Sequence, residues 1–322
     1  LDYEGSRNLN LNEKTKFTFK VKRYADLLMD TFLVVRLPHI WSPLYFNSKL
    51  CKYIPYEFKW IHDLGTQMID EITINCGGEI IQKFSGEYLT SLVQRDFTET
   101  KKELYNRMTG NTNQFNDPAN YANNNGNYPN ASFQDPANGG CEPSIRGQNI
   151  YIPINVWFTL SSKMAFPLVS LQYNELEINV SIRPVKELFT IRNVKAELPD
   201  NITIADLELN DENYNFNKYL DTYFPHLQPN FNNEEQQLYR FLQTPPNDNI
   251  VSQDECADCI NLEFIDKRTN WNADVHLIST FAFLSEEERQ SFASKEQNYL
   301  IKQIYEYKFP NVFESRKVKL DT

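Results

Sequence analysis

The stretch "YIPINVWFTLSSKMAFPLVSLQYNELEINVSIRP", Tyr151–Pro184, carries the strongest pattern in the chain. From just before it, Ile150, Ile152, Ile154, Val156, Phe158 and Leu160 recur at every second position. Leu176, Ile178, Val180 and Ile182 do the same, with Glu175, Glu177, Asn179 and Ser181 between them. Successive side chains of a strand point to opposite faces, so both runs predict strands with one face on a core and the other wet or against a partner. All ten apolar positions are expected inside. The knot Ala165-Phe166-Pro167-Leu168-Val169 between them predicts a short helix or a tight crossover. The stretch has no His, no Cys and no glycine loop, so the best-ordered part of the chain holds nothing that does chemistry.

Working outward, the alternation recurs. Phe17, Phe19 and Val21 alternate with Thr18, Lys20 and Lys22, and Ile72, Ile74 and Cys76 with Thr73 and Asn75. Thr31-Phe32-Leu33-Val34-Val35 is apolar on both faces and reads as a central strand. Phe58–Leu89 reads as strand, Gly77-Gly78 turn and second strand. Near the far end, Ile260, Leu262 and Phe264 share one face, and Val275, Leu277, Phe281 and Phe283 another. Helical signals are few; one is the capping box Ser285-Glu286-Glu287-Glu288. Many strands and few helices predict an all-β sandwich or barrel.

Two stretches interrupt the pattern. Ten of the 28 residues from Asn111 to Asn138 are Asn, punctuated by Pro118, Pro129 and Pro136. This predicts a long exposed loop, placed at 106–149, with little apolar surface to pack and partly ordered by its own turns. Residues 200–258 hold Tyr214, Phe216, Tyr219, Tyr223 and Phe224 and read as a packed connection between domains. The division expected is therefore 1–199, a first β domain; 200–258, the connection; and 259–322, the start of a second. About 65 residues are too few for a second full sandwich, so either the chain is cut short or its tail completes the first domain.

The 322 residues carry a net charge of −11 and no basic stripe, which disfavours direct contact with nucleic acid. No apolar run reaches the roughly 18 residues of a membrane helix. The opening residues lack the apolar core of a signal peptide, and the chain starts at Leu1 rather than Met, so a native start upstream is expected. Five scattered cysteines, Cys51, Cys76, Cys141, Cys256 and Cys259, fit a reducing compartment better than a disulfide framework.

Candidate chemistry is thin. Cys256-Ala257-Asp258-Cys259 is a C-x-x-C without a second pair or a nearby His, and reads as two loop cysteines. His39, His62, His226 and His276 lie far apart in the chain. There is no G-x-S-x-G and no phosphate-binding glycine loop. Glu175 and Glu177 lie on a strand's outer face. No catalytic, cofactor or metal residue is assigned, no cofactor is expected, and an enzyme is not expected. Three sequons occur, at Asn130, Asn179 and Asn201; Asn130, in the loop, is the most accessible candidate glycan acceptor. Tyr121, Tyr128 and Phe133 in the same loop read first as ordinary anchors that pack inward, and they keep open an alternative, a jelly-roll carbohydrate-binding module that stacks aromatic rings on sugars.

"FKVKRYADLLMDTFLVVRLPHIW" (Phe19–Trp41) and "FKWIHDLGTQMIDEITINCGGEIIQKFSGEYL" (Phe58–Leu89) resemble the major capsid proteins of nucleocytoplasmic large DNA viruses. So do P-L-x-x-L-Q-Y-N-E-L-x-I, from Pro167 to Ile178, and "STFAFLSEEERQSFASKEQNYLIKQI" (Ser279–Ile304), which resembles the start of that family's second domain. The resemblance implies a double jelly roll, two eight-stranded antiparallel sandwiches, the second incomplete in this chain. It implies a homotrimer with a pseudo-hexagonal outline that tiles an icosahedral shell. The implied partners are neighbouring capsomers and minor capsid and penton proteins, with no direct nucleic acid and only indirect contact with an inner membrane. The implied place is the virion capsid, assembled in the host cytoplasm. The Asn-rich loop would be an exterior feature of the capsomer or a trimer contact.

Overall fold

The computed structural model describes residues 2–4, 8–42, 44–50, 52–130, 132, 133, 141–171, 173–199, 216–233, 236, 270–299 and 301–307. Its main strands are β1 (Thr15–Val21), β2 (Leu27–Arg36), β3 (Ile69–Cys76), β4 (Glu79–Phe84), β5 (Asn149–Pro153), β6 (Leu176–Ile182) and β7 (His276–Ala282). The second alternating run of the opening stretch forms β6. It lies between β1 and β3 and pairs antiparallel with both, so Ile178 stands opposite Phe19 on one side and Ile74 on the other. β4 extends this sheet beyond β3, and the short strand Asp2–Glu4 extends it beyond β1.

The second sheet is built on β2. It pairs antiparallel with β5, with the short strand Phe166–Pro167 and with β7. The both-face apolar run Thr31–Val35 therefore sits in a central strand, as its pattern predicts. One continuous core joins the two sheets: Phe17, Phe19, Ile72, Ile74, Ile178 and Val180 from the first meet Leu28, Leu33, Val35, Ile150 and Ile152 from the second. Among the described residues the named strand pairings are antiparallel, with helices on their flanks.

Nine of the ten apolar positions of the opening stretch are buried; Leu160 is 65% exposed. The first strand stops at Pro153, earlier than the alternation predicts. Beyond it Thr159 Oγ1 donates to the Ile154 and Val156 carbonyls and accepts from the Val156 amide, closing a turn of 3₁₀-helix over Trp157–Thr159. Ile154, Val156 and Phe158 stay inside through this turn, and Leu160 leaves it facing outward. The knot is a short 3₁₀ turn, Leu168–Ser170, following the Phe166–Pro167 strand.

Two helices stand where the sequence pattern shows none, α1 (Gly86–Asp96) and α2 (Glu99–Thr109). The strand read through to Leu89 ends at Phe84. At Gly86 the chain passes so close to the Thr66 backbone that a Cβ would lie 1.8 Å from its carbonyl oxygen. From there Leu89, Leu92 and Val93, at helical spacing, turn inward. Gly110, at φ 78°, ends α2 in the left-handed conformation that glycine adopts without strain.

The described part of the Asn-rich loop is ordered by its own short turns, Asn113–Asn116 and Pro118–Asn120, as its composition predicts, but it buries more apolar surface than the exposed loop expected. Phe115 is fully buried, and the buried Tyr128 donates its hydroxyl to the Phe58 carbonyl at 2.7 Å. The loop is pinned to the body by apolar anchors. Further along, α3 (Phe216–Tyr223) packs Tyr219 and Leu220 on the core, and α4 (Glu286–Ser294) starts at the capping box Ser285/Glu288.

Candidate functional site

Four residues distant in sequence meet at the base of α3. Arg192, 2% exposed, ends the short strand Phe189–Arg192. Its guanidinium donates to the carboxylates of Glu57 and Asp221, the latter at 2.9 Å, and to the Phe224 carbonyl at 3.0 Å. His226 Nε2 lies 3.2 Å from the Glu57 carboxylate, and Lys59 Nζ 3.9 Å from it. Burial pushes the Glu57 carboxyl up; the neighbouring His226 imidazole, the charge and hydrogen bond of Arg192 and the charge of Lys59 outweigh it and hold the group below its ordinary value. Glu57, Asp221 and His226 bring ligand-type atoms within 4.8 Å of one another. The Arg192 guanidinium already supplies the positive charge both carboxylates need, so the arrangement acts as a tie that fastens α3 to the first sheet's neighbours.

A second set of ties carries residues 284–307 back across the body. Asp26 accepts from the Leu284 amide at 2.8 Å and from both Nε and Nη2 of Arg289. Tyr299 donates to the Ala165 carbonyl at 3.4 Å and lies against Trp157, ring centroids 5.3 Å apart. At the head of α1, the Ser85 amide and hydroxyl both donate to Glu306, at 2.8 and 2.7 Å.

The outer face of the first sheet pairs its charges. Lys14 meets Asp70 at 2.9 Å, Lys83 meets Glu71 at 2.7 Å, and Glu177 stands opposite Lys20. Thr18 donates to Asn179 across the strands at 2.7 Å. Exposed pairs of this kind contribute about 0–1 kcal/mol each, so they set register and solubility more than stability.

The residues singled out in the sequence do not converge. His39 Nδ1 faces the Gly147 amide, His62 pairs with Asn116, and His276 faces the Asp274 carbonyl. Burial pushes the thiol of Cys76 up. Cys256 and Cys259 lie outside the described residues. Asn130 is half-buried and its Oδ1 is shielded, without a partner among the described residues. The sugar-stacking trio is not assembled: Tyr121 is 45% exposed, Tyr128 is buried, and the side chain of Phe133 lies outside the described residues. The members of the Arg192 tie come from positions 57, 192, 221 and 226, and no local spacing announces them.

A family profile described as "Major capsid protein N-terminus" matches residues 4–224. The major capsid protein of Phaeocystis pouchetii virus is 28% identical over 180 residues, 53% of this chain and 32% of that protein. The major capsid protein of Rana tigrina ranavirus is 25% identical over 192 residues, 60% of this chain and 37% of that protein. These matches span about a third of the relatives' length. Among solved structures, the PBCV-1 virus capsid aligns over 94% of this chain and 45% of that chain, with 14% identity and a TM-score of 0.49. Ordered antiparallel sheets, surfaces of paired charge, and a profile match over more than half of the sequence agree: this chain belongs to the major capsid protein family of large DNA viruses.

Proposed function

We propose that this chain is part of a major capsid subunit that builds a double jelly roll, trimerises into a pseudo-hexagonal capsomer and tiles an icosahedral shell. The observation that carries the reading is the family match over residues 4–224. The physics suits it. A wall unit needs stiff sheets and anchored surfaces, and the ties at Arg192 and Asp26 stiffen the places where the chain leaves the sandwich. In this reading the molecule is structural and not an enzyme. Its partners are its own copies, neighbouring capsomers, and minor capsid and penton proteins, and it meets an inner membrane only indirectly. Its place is the virion capsid, assembled in the host cytoplasm.

Within that subunit, 1–199 forms the first jelly roll and 200–258 connects. Residues 259–322 are read as the start of the second roll, with β7 within them paired to β2. The test is sedimentation of the purified full-length protein over a range of concentration and salt. Reversible formation of trimers supports the reading; a monomer under every condition overturns it.

A further inference from the structure

A cleft of about 310 Å³ opens between α2 and the β2–β5 sheet. Phe32, Phe97, Leu104 and Met108 give it apolar walls, and Leu104 is 54% exposed. Its polar lining includes Asp30, Lys101, Tyr105 and Asn155. Lys101 is exposed, with its Nζ 3.9 Å from the Phe97 ring centroid. Asn155, just past β5, has a buried Nδ2 that finds no acceptor among the described residues. Leaving such a donor unpaired is costly, so a ligand that offers an acceptor there is favoured.

The loop ahead of β6 presents an exposed aromatic ring. Tyr173 is 95% exposed, a ring standing free of the surface. The loop beneath it is anchored: the Gly77 amide donates to the Glu175 carbonyl at 3.2 Å, and the Asn174 side chain lies against Gly77. Glu175, two residues on, is exposed. Phe283, 75% exposed, is another free ring, but it has no hydroxyl to offer Asn155.

We propose that Tyr173 of one copy enters this cleft on the next copy, its hydroxyl accepting from Asn155 Nδ2 and Glu175 of the same loop meeting Lys101. The inference rests on the capsid reading, which requires self-association. Knob and cleft occupy different places on one chain, so the contact is head-to-tail: it closes into a ring or extends through an array. An aromatic anchor in a desolvated pocket is where interface energy concentrates, and the opposed charges fix its orientation.

The test compares the association constant of the full chain with those of Tyr173→Ser, Lys101→Glu and the double variant Lys101→Glu/Glu175→Lys. Both side chains of the first two variants are on the surface, and circular dichroism checks their folding. Tyr173→Ser is expected to weaken association about tenfold or more. Lys101→Glu is expected to weaken it less, and the charge-swapped double variant to recover it. Separately, Tyr173→Cys and Leu104→Cys proteins are oxidised alone and mixed. A cross-link that requires the mixture supports the contact. If the unmodified chain associates and Tyr173→Ser associates equally well, the contact is wrong and the capsid reading stands. If the unmodified chain never associates, both fail.

Discussion

Arg289 grips Asp26 across 263 residues of chain, Nε to Oδ1 at 3.1 Å and Nη2 to Oδ2 at 3.2 Å. The same carboxylate also accepts from the Leu284 amide. One buried acid at the β1–β2 turn thus fastens β7 and α4 together onto the first sheets. The chain beyond α4 therefore departs from a fixed point. A subunit of two rolls needs such a point if its outline is to be the same in every copy.

Asp26→Ala is expected to loosen residues 284–294 without unfolding the sandwich. Hydrogen exchange is expected to rise across α4 and stay unchanged in β6. The Leu284 amide lowers the Asp26 carboxyl most; burial opposes this, and Arg289 adds to it, leaving the group below its ordinary 3.8. A depressed carboxyl contributes its stability above the unfolded value and loses it as pH falls. The α4 protection is therefore expected to be intact at neutral pH and to fade only below about pH 4. Fading between pH 6 and 8 would contradict the assignment.

The Arg192 tie makes a different forecast. Removing one member of a buried pair leaves the other charge stranded, at about 3–5 kcal/mol. Arg192→Ala is expected to cost that much in urea denaturation, and Arg192→Met with Glu57→Gln to cost clearly less. The Glu57 carboxyl is also held below its ordinary 4.5, so this contribution too is lost as pH falls through the acid range. Equal losses in the single and double variants would mean that the cluster does not act as a unit.

Ile178 and Leu160 belong to the same alternating stretch and are expected to behave oppositely. Ile178 is fully buried at the centre of the first sheet, and Ile178→Ala is expected to cost about 2–5 kcal/mol. Leu160 is 65% exposed, and Leu160→Ala is expected to change stability by no more than about 0.5 kcal/mol. Denaturation midpoints of the two variants decide it.

That contrast also marks how far the sequence could be read. Period-two alternation places β1, β3 and β6 and names their inward faces correctly, because strand geometry leaves a side chain only two directions. The Ser285/Glu288 box is legible because both of its hydrogen bonds are local. Where the pattern misleads, a tertiary or turn effect overrides it. Leu160 lies just past a turn closed by the Thr159 hydroxyl, and α1 begins where Gly86 meets the Thr66 backbone. In the Asn-rich loop the inward packing of Tyr128 agrees with the anchoring expected of loop aromatics, whereas Phe115, one aromatic among many amides, carries no such signal. The pairing of β7 with β2 joins positions more than 240 residues apart, which no local rule specifies. The resemblance at both ends of the chain supplies the family, and alternation alone supplies no more than an antiparallel sandwich.

The most direct measurement is electron microscopy of the purified protein at concentrations where it associates. Three-lobed particles with a hexagonal outline, packing edge to edge into flat arrays, are the expected result. Single sandwich-sized particles at every concentration, or open fibres without a closed unit, would contradict the account.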